Sequence, residues 1–434
     1  MPPNASIAGL EPRLHAARRL AQVLKGEPFQ AFTASELADP RERAMANRLV
    51  TIALRRHGHL DIVLGELMPR GLPPRSGLLE PALRCGLGEL LFAEGAAAHS
   101  AIHLAVEIVK GDRRASRYSG LANGVLRAAQ RSADRWGRLD PLDLFPAWLR
   151  ARWTAQYGEE MLLRFADALL AGPALDITLR EPDAGLAEAL GAQKVMGDTV
   201  RVLDRDRPVE ALPGFAEGRW WVQDAAAALP ARLLDPHPGD KVLDMCAAPG
   251  GKTMQLIASG AEVTALDSDS HRVERLRANL GRVGMTANVV VADAADYRPE
   301  RLFDRVLLDA PCSATGTFRR HPEVIWQRKP GDAAGRAELQ RKLLANAVGC
   351  LKPGGIMVFC TCSLEPEEGE SIAAWATSNV AEIEPIAFEI KQLQGLEGAL
   401  TREGFLRTHP GLAAPGPFGG TLDGFFAAAF QRQT

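Results

Sequence analysis

"LLDAPCSATG", residues 307–316, places an acid, a proline and a thiol at the end of an apolar run. Pro311 cannot donate a ladder hydrogen bond, so a buried strand should stop there and present Asp309 and Cys312 at its tip. A second thiol, Cys362 in "FCTCSLEPEE", ends another apolar run in the same way. Methyl transfer to an amino group needs no thiol, only polar groups and an aromatic in a (D/N)PP(Y/F/W) arrangement. Methylation of a ring carbon does need one. The C5 atom of a pyrimidine is not nucleophilic by itself; a thiolate adding to C6 makes C5 enamine-like, able to attack a methyl donor. Nearby cations or helix ends must help the thiol ionise, and Lys252 is a candidate cation. One cysteine suffices for the addition. A second at the tip of an adjacent strand then suggests a part in releasing the product.

The donor half of such a site is legible in "VLDMCAAPGGKT", residues 242–253. Asp244 ends a strand, and Pro249, Gly250 and Gly251 form a tight turn that lets a ligand approach the backbone before the next helix. A nucleotide triphosphate loop ending at Lys252 and Thr253 would need glycine where Cys246 stands. The dinucleotide pattern GxGxxG is absent too. A cofactor without a pyrophosphate, S-adenosylmethionine, fits better. Asp267 in "TALDSD" ends the next strand, where an acid can accept from both ribose hydroxyls, and Asp293 in "VVVADAAD" ends a third, placed for the adenine amino group. Each acid alone could be a helix N-cap; three at successive strand ends fit a ligand crevice better.

These tips must be held by a sheet. From about residue 216, "KVLDMC", "EVTALD", "NVVVAD", "RVLLDAP" and "GGIMVFCTC" are short apolar runs, most of them separated by helical stretches, and "DGFFAAAFQR" closes the chain after the Gly/Pro loop "HPGLAAPGPFGG". That pattern predicts a parallel sheet covered by helices on both faces. Residues 8 to about 138 read as helical. "RLHAARRLAQVLKG" puts Leu14, Ala17, Leu20, Ala21 and Leu24 on one face, with Gly26 as a stop. Four further amphipathic segments follow, the last long helix carrying a basic excess. Residues 139–215 change character: "RLDPLDLFPAWLRARW" is proline-punctuated, helices follow over 149–171, and "ALDITLRE", "TVRVLD" and "PVEAL" resemble short strands. The expected architecture is multidomain: an all-α bundle (1–138), a small α+β connector (139–215) and a Rossmann-like α/β domain (216–434).

At 434 residues the chain exceeds one ordinary domain, since ~100–200 residues per domain suggests two to four. No apolar run approaches the ~20 residues of a membrane span, and the first twenty residues lack the features of a secretory signal, so a cytoplasmic location is expected. A net charge of −2 by itself argues against nucleic acid, yet between Lys110 and Arg138 eight basic residues face only Asp112 and Asp134. The six cysteines form no zinc-type CxxC pair, so no metal is expected; Cys85 and Cys350 read as core residues.

"DMCAAPGGKT", "ALD", "LLDAPCSATGTFRRHPEVIW" and "TCSLEPEE" resemble the motifs of RNA cytosine-5 methyltransferases of the Nol1/Nop2/Sun type. "WWVQDAAAALPARLL" is similar to the segment preceding their first motif, and the helical half resembles the RNA-binding domain of the NusB type. The combination resembles bacterial members acting on 16S ribosomal RNA. The resemblance implies Cys362 as nucleophile, Cys312 as the residue assisting release, and Asp309 holding the cytosine edge beside Lys252. It implies cofactor contacts along Asp244, Cys246, Ala247, Ala248, Pro249, Gly250, Gly251 and Lys252, and at Asp267, Arg272, Asp293 and Asp309. Ala292 and Ala294 stand where relatives often carry glycine. Arg319 and Arg320 in "FRRHPE" are expected to meet RNA phosphate or support the crevice, and Arg113, Arg114 and Arg117 to meet RNA. The target cytosine must be turned out into the crevice while the bundle holds the surrounding backbone. A monomer is expected. Two other readings remain open: the same chemistry on another RNA such as tRNA, and a non-catalytic RNA-binding assembly factor.

Overall fold

The apolar runs from residue 241 onward form one sheet in the computed structural model, which describes residues 7–203, 207–416 and 419–434. Residues 1–6, Asp204 of "TVRVLD" and residues 417–418 of the Gly/Pro loop lie outside the described residues. The chain divides into two compact units. One runs to Ala171 and includes His321–Gln327; the other comprises Gly172–Arg320 and Arg328–Thr434.

The first unit is helical. Its main helices are Leu10–Val23, Pro40–Arg55, His57–Leu67, Leu79–Phe92, Ala98–Gly111 and Ser119–Arg131, followed by Ala147–Tyr157 and Glu159–Ala171. The buried stripe of the first helix is Arg13, Ala16, Ala17, Leu20 and Val23, while Leu14, Ala21 and Leu24 are half-buried beside it. The stripe is offset from the expected one and includes Arg13, whose burial is compensated by Glu89, its Nε donating over 2.9 Å. Apolar periodicity does not count a paired charge. Of the eight basic residues between Lys110 and Arg138, only Arg127 and Arg131 lie on the helix Ser119–Arg131. Arg113, Arg114 and Arg117 occupy the turn before it and are exposed.

The expected boundaries at 138/139 and 215/216 differ from the division observed. Helices Ala147–Tyr157 and Glu159–Ala171 belong to the helical unit, and the strands after Gly172 to the other. The segment His321–Gln327 also belongs to the helical unit: Glu323 accepts from the Phe29 amide over 3.0 Å, and the Trp326 ring lies 4.3 Å from that of His57. No linear pattern in "HPEVIW" announces this, because its partners are remote in sequence.

Among the described residues, the second unit holds two sheets. The smaller contains β1 (Leu175–Leu179), β2 (Ala192–Met196), β3 (Thr199–Val202) and β4 (Trp220–Val222), antiparallel in the order β2-β3-β1-β4. "PVEAL", expected as a strand, is instead a 3-10 turn over Val209–Ala211. Pro208 at its start has a fixed φ suited to a helical turn and no ladder donor.

The larger sheet comprises β5 (Lys241–Met245), β6 (Glu262–Asp267), β7 (Asn288–Val291), β8 (Phe303–Asp309), β9 (Leu351–Thr361), β10 (Ile383–Ile386), β11 (Leu406–Thr408) and β12 (Phe425–Arg432). Its order is β10-β12-β9-β8-β5-β6-β7, with β11 paired to β12. β5 to β9 are parallel to one another; β12 runs antiparallel to β9, β10 and β11, so the sheet is mixed where a parallel one was expected. β5 pairs with both β6 and β8, so the winding reverses at β5, where open α/β sheets bind ligands beyond the carboxyl ends. Leu243, Met245, Val306 and Leu308 are fully buried, as expected of parallel strands covered on both faces.

Backbone closeness fixes the loop after β8. The Gly316 amide donates to the Cys362 carbonyl over 3.0 Å, and the Gly424 amide donates to the Gly316 carbonyl over 2.8 Å. A Cβ on Gly316 would lie 2.0 Å from the Gly424 oxygen. Gly316→Ala should therefore cost about 1–3 kcal/mol by overpacking, read as a lower denaturant midpoint; an unchanged midpoint would contradict this close approach.

Candidate active site

The site lies at the carboxyl ends of the parallel strands. β8 pairs with β9 so that Asp309 is opposite Cys360, and the Ala310 amide donates to the Cys360 carbonyl over 2.9 Å. The chain continues beyond each tip, and Cys312 Sγ comes to lie 3.4 Å from Cys362 Sγ. Both thiols are half-buried and free of disulfide bonds. Lys252, on the helix Gly251–Ala258 that follows β5, donates from Nζ to Asp309 Oδ2 over 2.8 Å. The buried Cys360 thiol donates to Asp309 Oδ1 over 3.5 Å. Both oxygens of Asp309 are thus held, and the carboxylate has one orientation. The Lys252 ammonium also lies 5.1 Å from the centre of the Phe425 ring.

Burial alone would lower the Lys252 ammonium, but Asp309 with the Cys360 and Cys362 sulfurs holds it above the ordinary lysine range. Arg320 is likewise raised, because Asp423, Asp224 and Cys362 outweigh its burial. Both are thus raised in part by the Cys362 sulfur. Cys312 faces a thiol and a carboxylate instead. Its hydrogen bond to Cys362, its burial and the charges of Cys362 and Glu368 all push its thiol well above the usual range.

The cofactor-side residues gather on β5, β6 and the turns after them. Asp244 is buried; its Oδ2 accepts from Thr253 Oγ1 over 2.6 Å, while Oδ1 has no partner. Burial pushes its carboxyl up to about 7. Asp267 is also buried, accepting from the Ala248 amide over 3.1 Å, with Arg272 Nη1 at 3.4 Å. Cys246 turns the chain with φ 63°, Ala247 and Ala248 are buried, Pro249 is exposed, and Gly250 adopts φ 106°. Asp293 stands two residues past β7, exposed, and accepts from the Ala295 amide over 2.8 Å. The small residues of the turn, the buried acids at two strand ends and the unpartnered Asp244 oxygen fit a polar, pyrophosphate-free cofactor.

Arg319 corrects one expectation. It is fully buried, so it does not meet RNA phosphate. Its guanidinium bonds Asp224 Oδ2 at 2.5 Å and Asp423 Oδ1 at 2.8 Å, and Nη1 donates to the Thr421 carbonyl over 2.9 Å. Arg320, about one-third exposed, donates from Nε to Asp423 Oδ2 over 2.6 Å. Asp224 also caps the helix Ala225–Leu234 by accepting from the Ala226 amide. The layer is therefore structural support for the crevice. Sequence reasoning missed Asp224, Asp423 and Glu368. Asp224 stands at an N-cap position before an alanine-rich helix, a signal available in "QDAAAAL"; "LDGFF" carries none for Asp423.

Together the fold and the site define a Rossmann-like, S-adenosylmethionine-dependent methyltransferase carrying two facing thiols. The model for "16S rRNA methyltransferase RsmB/F" matches residues 231–431 and that of the "NusB family" residues 10–131. The ribosomal RNA small subunit methyltransferase B of Sodalis glossinidius is 37% identical over 451 aligned residues, covering 97% of this chain and 98% of that protein. The protein of that name from Xanthomonas campestris is 37% identical, covering 86% and 88%. The chain belongs to this RsmB/F methyltransferase family, in the form that carries a NusB domain. In fold it matches the crystal structure of PH0851, with a TM-score of 0.75 at 24% identity over 99% of this chain and 100% of that one. A methyltransferase homologue from Pyrococcus horikoshii aligns with a TM-score of 0.54 at 28% identity, covering 66% and 95%.

Two outcomes test this geometry. Arg319→Ala should cost about 3–5 kcal/mol, because it strands two buried carboxylates; a melting temperature like that of the parent would return Arg319 to a surface role. Asp244 is protonated up to about pH 7 when folded but only to about 3.8 when exposed, so its contribution to stability is lost as pH rises between those values. Asp244→Asn in the cofactor-free protein should therefore gain on the parent across that window, with a constant difference above it, measured by thermal melts in a pH series.

Proposed function

We propose that the protein transfers a methyl group from S-adenosylmethionine to C5 of a cytosine in 16S ribosomal RNA, through a transient bond between Cys362 and C6. The observation that carries this reading is the Cys312–Cys362 juxtaposition of 3.4 Å beside the Lys252–Asp309 pair. Amino-group transfer uses neither thiol. The choice of RNA rests on the relatives, which bear the name ribosomal RNA small subunit methyltransferase B.

The cofactor supplies a methyl group on a positively charged sulfur. Asp267 holds its ribose, Asp293 the adenine side, and Asp244 with the Cys246–Lys252 turn its remaining polar edge. Asp309, fixed by Lys252 and Cys360, holds the N3/N4 edge of a flipped-out cytosine. The Cys362 thiolate, faced by Lys252 and Arg320, adds to C6 and pushes the C5–C6 double-bond pair onto C5, which takes the methyl group while the S–CH3 pair stays on the donor sulfur and leaves it neutral. A base then removes the C5 proton. The C–H pair restores the double bond, and the C6–S pair returns to Cys362. Cys312, kept as a thiol, faces the departing sulfur and assists its release. The exposed Arg113, Arg114 and Arg117 of the NusB domain bind RNA phosphate, a salt-sensitive contact.

Unmodified 16S rRNA and tRNA, assayed side by side and mapped for 5-methylcytosine, test the reaction and its substrate. Cys362→Ala should lose methyl transfer by three orders of magnitude or more while retaining cofactor affinity. Ample turnover in that variant, or methyl found on an exocyclic nitrogen, would overturn the scheme; preferential methylation of tRNA would overturn the substrate.

A further inference from the structure

Glu368 is fully buried and belongs to the "TCSLEPEE" motif, yet the reaction as described gives it no task. Its position is distinctive. The side chain accepts from the Ser313 amide, at 2.8 Å on one oxygen and 3.1 Å on the other, and from the Ser313 hydroxyl. Ser313 directly follows Cys312. The backbone carbonyl of Glu368 accepts from Thr361 Oγ1 over 3.0 Å, and Thr361 directly precedes Cys362. One residue therefore grips the chain beside each sulfur. Gln340 reinforces the first grip: its Nε2 donates to the Pro311 carbonyl over 2.9 Å and lies 3.4 Å from Glu368 Oε1.

We infer that Glu368 is a positioning residue for product release: it clamps the two strand tips so that Cys312 faces Cys362. This rests on the reading of Cys362 as nucleophile and Cys312 as release residue. The neighbouring electrostatics agrees. Among the causes that push the Cys312 thiol up, Glu368 follows the hydrogen bond to Cys362, burial and the charge of Cys362. Burial raises Glu368 itself, while Ser313 and Ser363 hold it down by hydrogen bonding. The balance of the release step is unchanged. The C5 proton goes to the base, the C6–S pair returns to Cys362, and the Cys312 proton passes to that sulfur and is replaced from water. Without the second carboxylate oxygen the grip on Ser313 loosens, and Cys312 no longer faces the sulfur that needs its proton.

The test separates the first turnover from the later ones in the full-length protein. Glu368→Gln keeps the size and one acceptor oxygen but removes the charge. Expected is a normal first methylation of roughly one methyl group per protein, followed by steady-state turnover roughly tenfold slower, with a covalent RNA–protein band on denaturing gels. Thr361→Val deletes the other arm without changing side-chain shape and should show the same band, which keeps the proposal testable if Glu368→Gln does not fold. Cys312→Ala serves as the reference for blocked release. If it traps the adduct while neither other variant does, or if their first and later turnovers fall together, the clamp is refuted and the cysteine roles stand. If Cys312→Ala traps nothing, the release reading fails and the clamp fails with it.

Discussion

The register between β8 and β9 is the constraint on which the site depends. Because Asp309 pairs with Cys360, the residues three and two positions further on, Cys312 and Cys362, leave adjacent tips of one crevice and meet at 3.4 Å. A shift of one residue would reverse the faces on which these side chains lie, since successive side chains of a strand alternate. It would also detach Asp309 from Lys252 and Cys360. The long apolar stretches of both strands, buried on each face, make such a shift costly, and the reactive arrangement inherits its precision from the hydrophobic core.

A second layer holds the crevice from behind. Arg319 and Arg320 meet Asp224 and Asp423 in a buried group of two cations and two carboxylates. Buried charges are tolerated when paired and hydrogen-bonded, and breaking the set is expensive. The group ties the loop after β8 to the start of the helix Ala225–Leu234 and to the segment before β12. It also brings Arg320, still partly exposed, within electrostatic reach of Cys362. One pair of adjacent arginines thus braces the crevice and approaches its sulfur.

The cysteines of the site differ in their neighbours. The Cys362 sulfur contributes to raising Lys252 and Arg320; Cys312 is pushed toward the thiol by hydrogen bonding, burial and nearby negative charge. Cys360, buried one strand position before Thr361, has a third use as a donor to Asp309. The asymmetry comes from placement alone.

Much of this protein is legible in its sequence. The parallel strands read correctly because strands buried on both faces leave apolar runs, and the ends of those runs locate Asp244, Asp267, Asp309, Cys312 and Cys362. The helices read correctly because their apolar spacing is regular, although the first helix buries Arg13, paired with Glu89, in a stripe the apolar pattern did not mark. What the chain order cannot show is pairing between distant residues. The burial of Arg319, its partners Asp224 and Asp423, the double grip of Glu368 and the membership of His321–Gln327 in the helical unit all join segments far apart in sequence. β2, β4, β10 and β11 were missed, and Val209–Ala211 proved to be a turn, because short strands form only where a neighbour offers its open edge. Local chemistry and periodicity determined which residues could react; the three-dimensional packing decided which charges face each other, because Coulomb and hydrogen-bond energies depend on distance in space and not on separation along the chain.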